Sequence, residues 1–325
     1  MTGKCTVVAL SALVLSGTQA ALIGPYTPNS NTLHLWHLDD AGTPAADAAH
    51  YAYTGNYTTK PDANQPLNAL FGTASLGNAS HPLFGTALNV GANNSGLAAL
   101  TPNNGTADNA DHTFDNPATH AFTMEAIIKI GFNPATSIAT PQEIIAGEGD
   151  AGDSSDRSWQ FRIEANSTPS TTPWRLRFQK VSGYPATGGG NTGNYNLDAN
   201  IPTGGDPNAI AQGEWYHVAV TFNGSWSTAD NLKLYWTKLD PNNIVANQVA
   251  SGQMNGWLRE QDTDFALGNE LRDFNGNTEG FFGMIDEVRI SDLALGADQM
   301  QFVPEPASVM SIGLAGLMSI RRRRE

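Results

Sequence analysis

Short segments in which apolar and polar residues alternate recur along the chain, separated by runs rich in Gly, Asn, Pro and Asp. LHLWHL (33–38) is the first, and AFTMEAIIKI (121–130) places Phe122, Met124, Ala126, Ile128 and Ile130 on one face. WRLRFQKV (174–181) sets Trp174, Leu176 and Phe178 against Arg175, Arg177 and Gln179. EWYHVAVTF (214–222) groups Tyr216, Val218, Val220 and Phe222, LKLYW (232–236) follows, and FFGMIDEVRIS (281–291) comes last. A period of two marks half-buried strands, so these segments predict an all-β protein with a core between two antiparallel sheets. Helical periodicity is nearly absent; LALGADQMQF (293–302) has room for one short turn. Residues 40–66, 91–119 and 182–212 read as long loops, and no fixed-period repeat or linker divides the chain.

Composition agrees. The 325 residues include 33 Gly, and only 15% are charged. That profile suits an extracellular all-β protein whose turns draw on Gly and Asn, and it argues against a helical bundle. Residues 1–20 read as a secretory signal peptide: Lys4, the apolar run TVVALSALVLSG, then Thr18-Gln19-Ala20 as a small-residue cleavage site, with the cut between Ala20 and Ala21. A buried N-terminal strand or an anchor is the competing reading. Cys5, the single cysteine, falls within the removed part, so the mature chain has no disulfide and its stability rests on a buried core and any metal it holds. The formal charge is −14, and setting aside Lys4, Arg321–Arg324, Glu305 and Glu325 leaves the rest more acidic still. Such a surface repels nucleic acid and anionic membranes, so no nucleic-acid partner is expected.

The C-terminus departs from this pattern. Ala307–Ile320 is apolar, opened by Pro304-Glu305-Pro306 and closed by Arg321, Arg322, Arg323 and Arg324. At about 1.5 Å per residue the run falls short of a roughly 30 Å hydrocarbon core, which makes it a marginal membrane stop. Arginines extend its reach and hold that end in the cytoplasm. A hydrophobic helix packed in the core is the alternative that the four arginines oppose. The order VPEPAS, apolar helix, RRRR resembles the PEP-CTERM sorting signal of bacteria, over residues 303–325. The resemblance implies export by the secretion machinery, transient inner-membrane contact and recognition by an exosortase near Pro304-Glu305-Pro306. It further implies delivery to the cell surface or an exopolysaccharide-rich extracellular matrix.

Within residues 21–302 a second resemblance appears. FTMEAIIKI, EWYHVAVTFNG with LKLYW, and LGNELRDFNGNTEGFFGMIDEVRISDLALGADQM resemble a bacterial LamG-like domain of the concanavalin A-like class, most specifically from Phe281 to Ser291. The implied architecture is a two-sheet antiparallel jelly-roll sandwich with its terminal strands adjacent.

Enzyme motifs mostly fail. GEGDAGD (147–153) offers Glu148 and Asp150 at the start of the Glu-x-Asp-x-x-Glu spacing of related jelly-roll glycoside hydrolases, but Asp153 ends it and the segment reads as a Gly-rich loop. GGGNTG (188–193) lacks the strand and helix a dinucleotide fingerprint needs. His34 and His37, three apart on a strand, face opposite sides. The chain is therefore expected to be non-catalytic. Asp286 shares parity with Phe282, Met284, Val288 and Ile290, which predicts a buried carboxylate needing hydrogen bonds or a cation. Calcium would serve. Jelly-roll relatives place a structural calcium where the terminal strands meet, on an aspartate matching Asp286, with Asp39 and Asp40 candidates nearby. A β-bulge that turns Asp286 outward, or bonds to loop amides, is the other reading.

Among the aromatics near loops, Trp159 and Trp174 read as packing residues, while Trp226 and Tyr195 are candidate platforms for a sugar ring. The leading expectation is an exported protein that binds carbohydrate or exopolysaccharide. A structural matrix protein without a defined ligand and a divergent polysaccharide hydrolase are the alternatives.

Overall fold

The computed structural model describes residues 25–41, 45–49, 75–79, 83–90, 97–99, 118–136, 141–148, 157–165, 174–180, 194–240, 243, 245–258, 264–269 and 279–300. Every regular element among them is a strand: β1 (Thr32–Trp36), β2 (Ser75–Ala79), β3 (Thr86–Asn89), β4 (Leu97–Ala99), β5 (Phe122–Ile130), β6 (Gln142–Glu148), β7 (Arg157–Ala165), β8 (Trp174–Lys180), β9 (Tyr195–Asn200), β10 (Trp215–Phe222), β11 (Leu232–Lys238), β12 (Gln248–Gly252), β13 (Asp264–Leu267) and β14 (Gly283–Ser291). They form two antiparallel sheets. The larger runs β12-β11-β10-β5-β14-β3-β2, with β1 also on β14, and the smaller runs β4-β13-β6-β7-β8-β9. The expected two-sheet jelly-roll sandwich is what forms, and β1 and β14 lie side by side with Trp36 opposite Val288.

Alternation places the core where the sequence predicts it. Phe122, Met124, Ile128, Tyr216, Val218, Phe222, Leu234 and Trp236 of the large sheet meet Trp159, Phe161, Ile163, Trp174, Leu176 and Phe178 of the small one. The buried indoles keep their N–H groups bonded: Trp174 Nε1 donates to Pro134 O at 3.0 Å and Trp236 Nε1 to Asn208 O at 2.9 Å. The outer face of the large sheet is covered too. Ile127, Ala219 and Tyr235 pack there with Phe84, Ala246 and Met300, so all eight residues of β10 are buried.

Three expectations need correction. Gly147 and Glu148 end strand β6 rather than opening a loop, β4 lies within 91–119, and β9 occupies part of 182–212. Gly-rich or polar composition hid these strands because they lie at sheet edges or strand ends, where the apolar alternation is short. The parity of Asp286 also fails. A bulge interrupts the β14–β5 register between Asp286 and Arg289, and Glu287 has φ of 47°. Phe281 and Ile285 face the core before the bulge and Val288 and Ile290 after it. Asp286 thus leaves the core face yet remains fully buried. The segments 1–24 and 301–325, with Ala20, Ala21, Pro304, Glu305, Pro306 and Arg321 to Arg324, lie outside the described residues.

A buried ionic centre fastens the N-terminal segment to the outer face. Arg289 pairs across β14–β5 with Glu125, its Nε donating to Oε1 at 2.7 Å while Nη2 reaches the same oxygen. His217 Nε2 lies 2.9 Å from Glu125 Oε2, and the Tyr26 hydroxyl donates to that oxygen at 2.8 Å. The Tyr26 ring sits against the Arg289 guanidinium, 4.2 Å from its carbon, and the Tyr26 N–H donates to Glu287 Oε2 at 2.7 Å. His37 Nδ1 shares the other Glu287 oxygen at 2.9 Å. Burial alone would raise the Glu125 carboxyl, but Arg289, His217 and Tyr26 outweigh it and bring its pKa from 4.5 down to about 2.

Because the folded pKa of Glu125 is depressed, its ionised form contributes stability that is complete above about pH 4.5 and is lost as pH falls toward 2, a term on the order of 3 kcal/mol. Urea unfolding followed from pH 5 to pH 2 should show this decline in the wild type and a flatter profile in Glu125→Gln. Glu125→Ala, which leaves Arg289 buried without its anion, should cost about 3–5 kcal/mol at neutral pH. A loss below about 1 kcal/mol would contradict the central role given to this carboxylate.

Candidate functional site

Three loops meet at the end of the sandwich where β10 finishes. The β10–β11 connection, residues 223–231, is closed by Asn223 N–H donating to Asn231 O at 2.9 Å. Inside it Ser225 N–H donates to Asn223 Oδ1 at 2.9 Å, and the Thr228 hydroxyl to Ser225 O at 3.0 Å. Buried Asn231 ties this loop to the segment after β12: its amide donates to Ser225 O and Met254 O, and its Oδ1 accepts from Met254 N–H at 2.6 Å. Gly224 has φ of 78°, and any Cβ there would overlap the Thr119 carbonyl, so glycine admits the third loop, which precedes β5. From the small sheet, buried Lys180 donates to Asn255 O at 2.8 Å, and burial lowers its pKa to about 8.

The three loops bring together an aromatic corner. His120 stacks on Trp257 with ring centroids 4.4 Å apart and planes 12° from parallel. Trp257 meets Trp226 nearly at right angles, 78°, at 6.3 Å. Trp226 is 47% exposed, on a loop fixed by the bonds just described. One Trp257 face is therefore taken by His120, and the right-angled contact uses at most one face of Trp226. Exposed Gln253 has its Nε2 3.5 Å from Trp226 O, and exposed Asp230, four residues on in the same loop, accepts from Ser251 Oγ at 2.7 Å. An exposed indole with polar side chains on the same and the neighbouring loop suits a sugar ring, which has an apolar face and a polar edge.

The other sequence candidates lie elsewhere. Tyr195 is half-buried at the β9 edge, its hydroxyl and Leu197 filling the space a Gly252 side chain would need, and it does not join the Trp226 corner. Trp159 and Trp174 are buried, as expected of packing residues. Asp286 Oδ1 accepts the Glu287 N–H at 2.9 Å, and Asp39 Oδ1 accepts the Thr86 N–H at 2.6 Å and its hydroxyl at 3.2 Å. Among the described residues no group of three or more His, Cys, Asp or Glu is placed to hold a metal ion. Both aspartates serve backbone amides. His34 and His37 do not share a ligand either: each binds its own carboxylate, Asp47 at 2.7 Å and Glu287 at 2.9 Å.

Sequence reasoning missed Trp257 and His120 as partners of Trp226, because they are far apart in the chain and only the loop contacts unite them. It also missed an ionic ladder on the outer face of the small sheet. There Arg162 takes Glu143 at 3.0 Å and Glu164 at 3.2 Å, while Arg175 and Arg177 share Glu164 and Asp198.

A family model described as the concanavalin A-like lectin/glucanases superfamily matches residues 102–301. The chain belongs to that superfamily. Among proteins of curated function none matches the sequence. Solved structures similar to this superfamily member include a Trypanosoma rangeli sialidase in complex with 2,3-difluorosialic acid, at 13% identity and TM-score 0.45, covering 86% of this chain and 33% of that one. Others are a leech intramolecular trans-sialidase (14% identity, TM-score 0.36, 57% and 24% covered) and the enzymatically active domain of bacteriophage CBA120 tailspike protein 2 (10%, 0.39, 84% and 30%). The chain thus spans about a third or less of the length of these proteins. The presence of sialidases and a tailspike's enzymatically active domain among the similar structures contradicts the expectation of a non-catalytic chain; at these identities and TM-scores they transfer no residue and no reaction to it.

Two substitutions separate the platform from its support. Trp226→Ala, at an exposed side chain, should change unfolding free energy by no more than about 0.5 kcal/mol. Gly224→Ala, forced against the Thr119 carbonyl in a left-handed conformation, should cost at least about 1–3 kcal/mol and quench the near-ultraviolet circular dichroism of the tryptophan corner. Equal stability of the two variants would contradict the assigned role of the loop junction.

Proposed function

We propose that this superfamily member binds carbohydrate, with the exposed face of Trp226 as the platform on which a sugar ring stacks. The observation that carries the reading is that Trp226 stays exposed on a loop immobilised by Asn223, Asn231 and the Trp257–His120 stack. An indole held in place before the ligand arrives loses little freedom on binding, which is how a small contact becomes useful. Family membership supports the same chemistry. With one indole face available, single-site affinity is expected to be weak, on the order of millimolar, and useful retention comes from repeated sugars on a polymer.

In this reading the protein works outside the cell. The N-terminal apolar segment directs export, and residues 303–325 are recognised by an exosortase, which leaves the domain at the surface or in a matrix of exopolysaccharide. A structural matrix role without a defined ligand is the rival account.

The purified protein passed over immobilised exopolysaccharide from its source cells, and over a glycan array, should show saturable retention that Trp226→Ala reduces about tenfold or more without altering the melting temperature. Retention that is absent, or indifferent to Trp226, would favour the structural account. Mass spectrometry of surface-extracted protein should find residues 1–20 missing and a C-terminus near Pro304. An intact tail on that material would refute the sorting step.

A further inference from the structure

We propose that the opposite end of the large sheet carries a second carbohydrate site, selective for a sugar bearing a carboxylate, such as a uronic acid residue. β10 ends at the Trp226 loop; at its beginning, residues 212–213 border a cleft of about 370 Å³. That volume lies within the range of small-molecule sites, about 300–1,000 Å³. The strands place four side chains in one cross-strand row on the outer face, Trp215 opposite Lys129, Lys129 opposite Met284, and Met284 opposite Asn89. Lys129, Met284 and Asn89 line the cleft, and Phe282 and Gln212 complete it.

Each wall offers a different chemistry. Lys129 Nζ lies 5.5 Å from the centre of the Trp215 ring, and no described carboxylate pairs with it. Phe282 is 36% exposed, and its backbone is fixed by donation of its N–H to Gln142 Oε1 at 3.1 Å. Gln212 Nε2 donates to Gly131 O at 2.9 Å, which anchors that carboxamide at the rim. A Cβ at Gly213 would meet nothing within 4 Å, so the mouth is open there. Gly283 borders the cleft with its backbone alone, and no side chain fits there because a Cβ would overlap the Lys129 carbonyl and crowd the Phe281 ring.

A uronate matches this set: its carboxylate meets the Lys129 ammonium, an apolar ring face lies on Phe282, and hydroxyls reach Gln212 and Asn89. The chain as a whole is acidic, with 31 Asp and Glu against 17 Lys and Arg, and repels anions at long range. Charges beyond about 8 Å are largely screened at physiological salt, so the local ammonium decides. This site and the Trp226 platform rest on separate residues, and either can stand without the other.

The test is NMR titration of the purified protein with sodium glucuronate, methyl glucoside and inorganic phosphate in parallel. Glucuronate should shift resonances of residues 129–131, 212–213 and 282–284, with the glucoside and phosphate each at least about tenfold weaker there. Lys129→Met should weaken glucuronate about tenfold, Phe282→Ala should weaken it while the charge remains, and Trp226→Ala should leave it unchanged. Phe282→Ala carries the test if Lys129→Met lowers the melting temperature. Phosphate binding as well as glucuronate would reduce the cleft to a general anion site and overturn the proposal. So would no shift at these residues, glucuronate binding that survives both cleft substitutions, or binding that depends on Trp226 alone.

Discussion

One buried carboxylate holds four parts of this chain in register. Glu125 lies on the outer face of β5, and its two oxygens are divided among Arg289 of β14, His217 of β10 and Tyr26 of the N-terminal segment. A lone ionised carboxylate at zero exposure would be strongly disfavoured; here a guanidinium and two further hydrogen-bonding side chains, His217 and Tyr26, compensate it. Tyr26 continues the chain of contacts through Glu287 to His37, just beyond β1. The N-terminal segment, β1, β5, β10 and β14 are therefore positioned by polar geometry on one side of the sheet and by apolar packing on the other.

That double coverage accounts for the placement of the loops. With both faces of β10 buried, the strand has no freedom to slide, and the connections at its two ends are displayed at fixed positions. At one end Asn231, Lys180 and Gly224 gather three loops into the aromatic corner. At the other, Gly213 and Gln212 frame the Lys129 cleft. The binding proposed at either end would thus be a property of connections, while the sheet supplies their spacing.

How much of this could be read from residues alone depended on the range of the forces involved. The strands of the central sheet were legible because Met124, Ala126, Ile128 or Tyr216, Val218, Val220 repeat at the period the pleat imposes. Asp286 misled because a single bulge at Glu287 shifts parity mid-strand, and nothing in IDEVRI marks it. β9 was hidden by Asn196 and Asp198, polar residues that a sheet edge tolerates, and the end of β6, an interior strand, by the small Gly147. The Trp226 platform was half legible: its exposure followed from its loop, but its alignment with Trp257 and His120 depends on contacts between distant segments. The Glu125 centre was not legible at all. Its partners lie 92, 99 and 164 residues away, and a glutamate at an outward strand position reads as a solvated charge until the covering segment is known.

The course of β10 has a mechanical consequence. A polymer held at residues 223–231 and a second contact held near residues 212–213 would pull the domain along that strand's own axis, over roughly 35 Å at about 3.3 Å per residue. Its neighbours β5 and β11 run antiparallel on either side, with every residue from Tyr216 to Phe222 in register with both. Tension applied at the two ends of one strand is carried by its own covalent backbone, so the ladders on either side are neither sheared nor unzipped by it. Within a stretched network, the loops would let go of their sugars before the sandwich came apart.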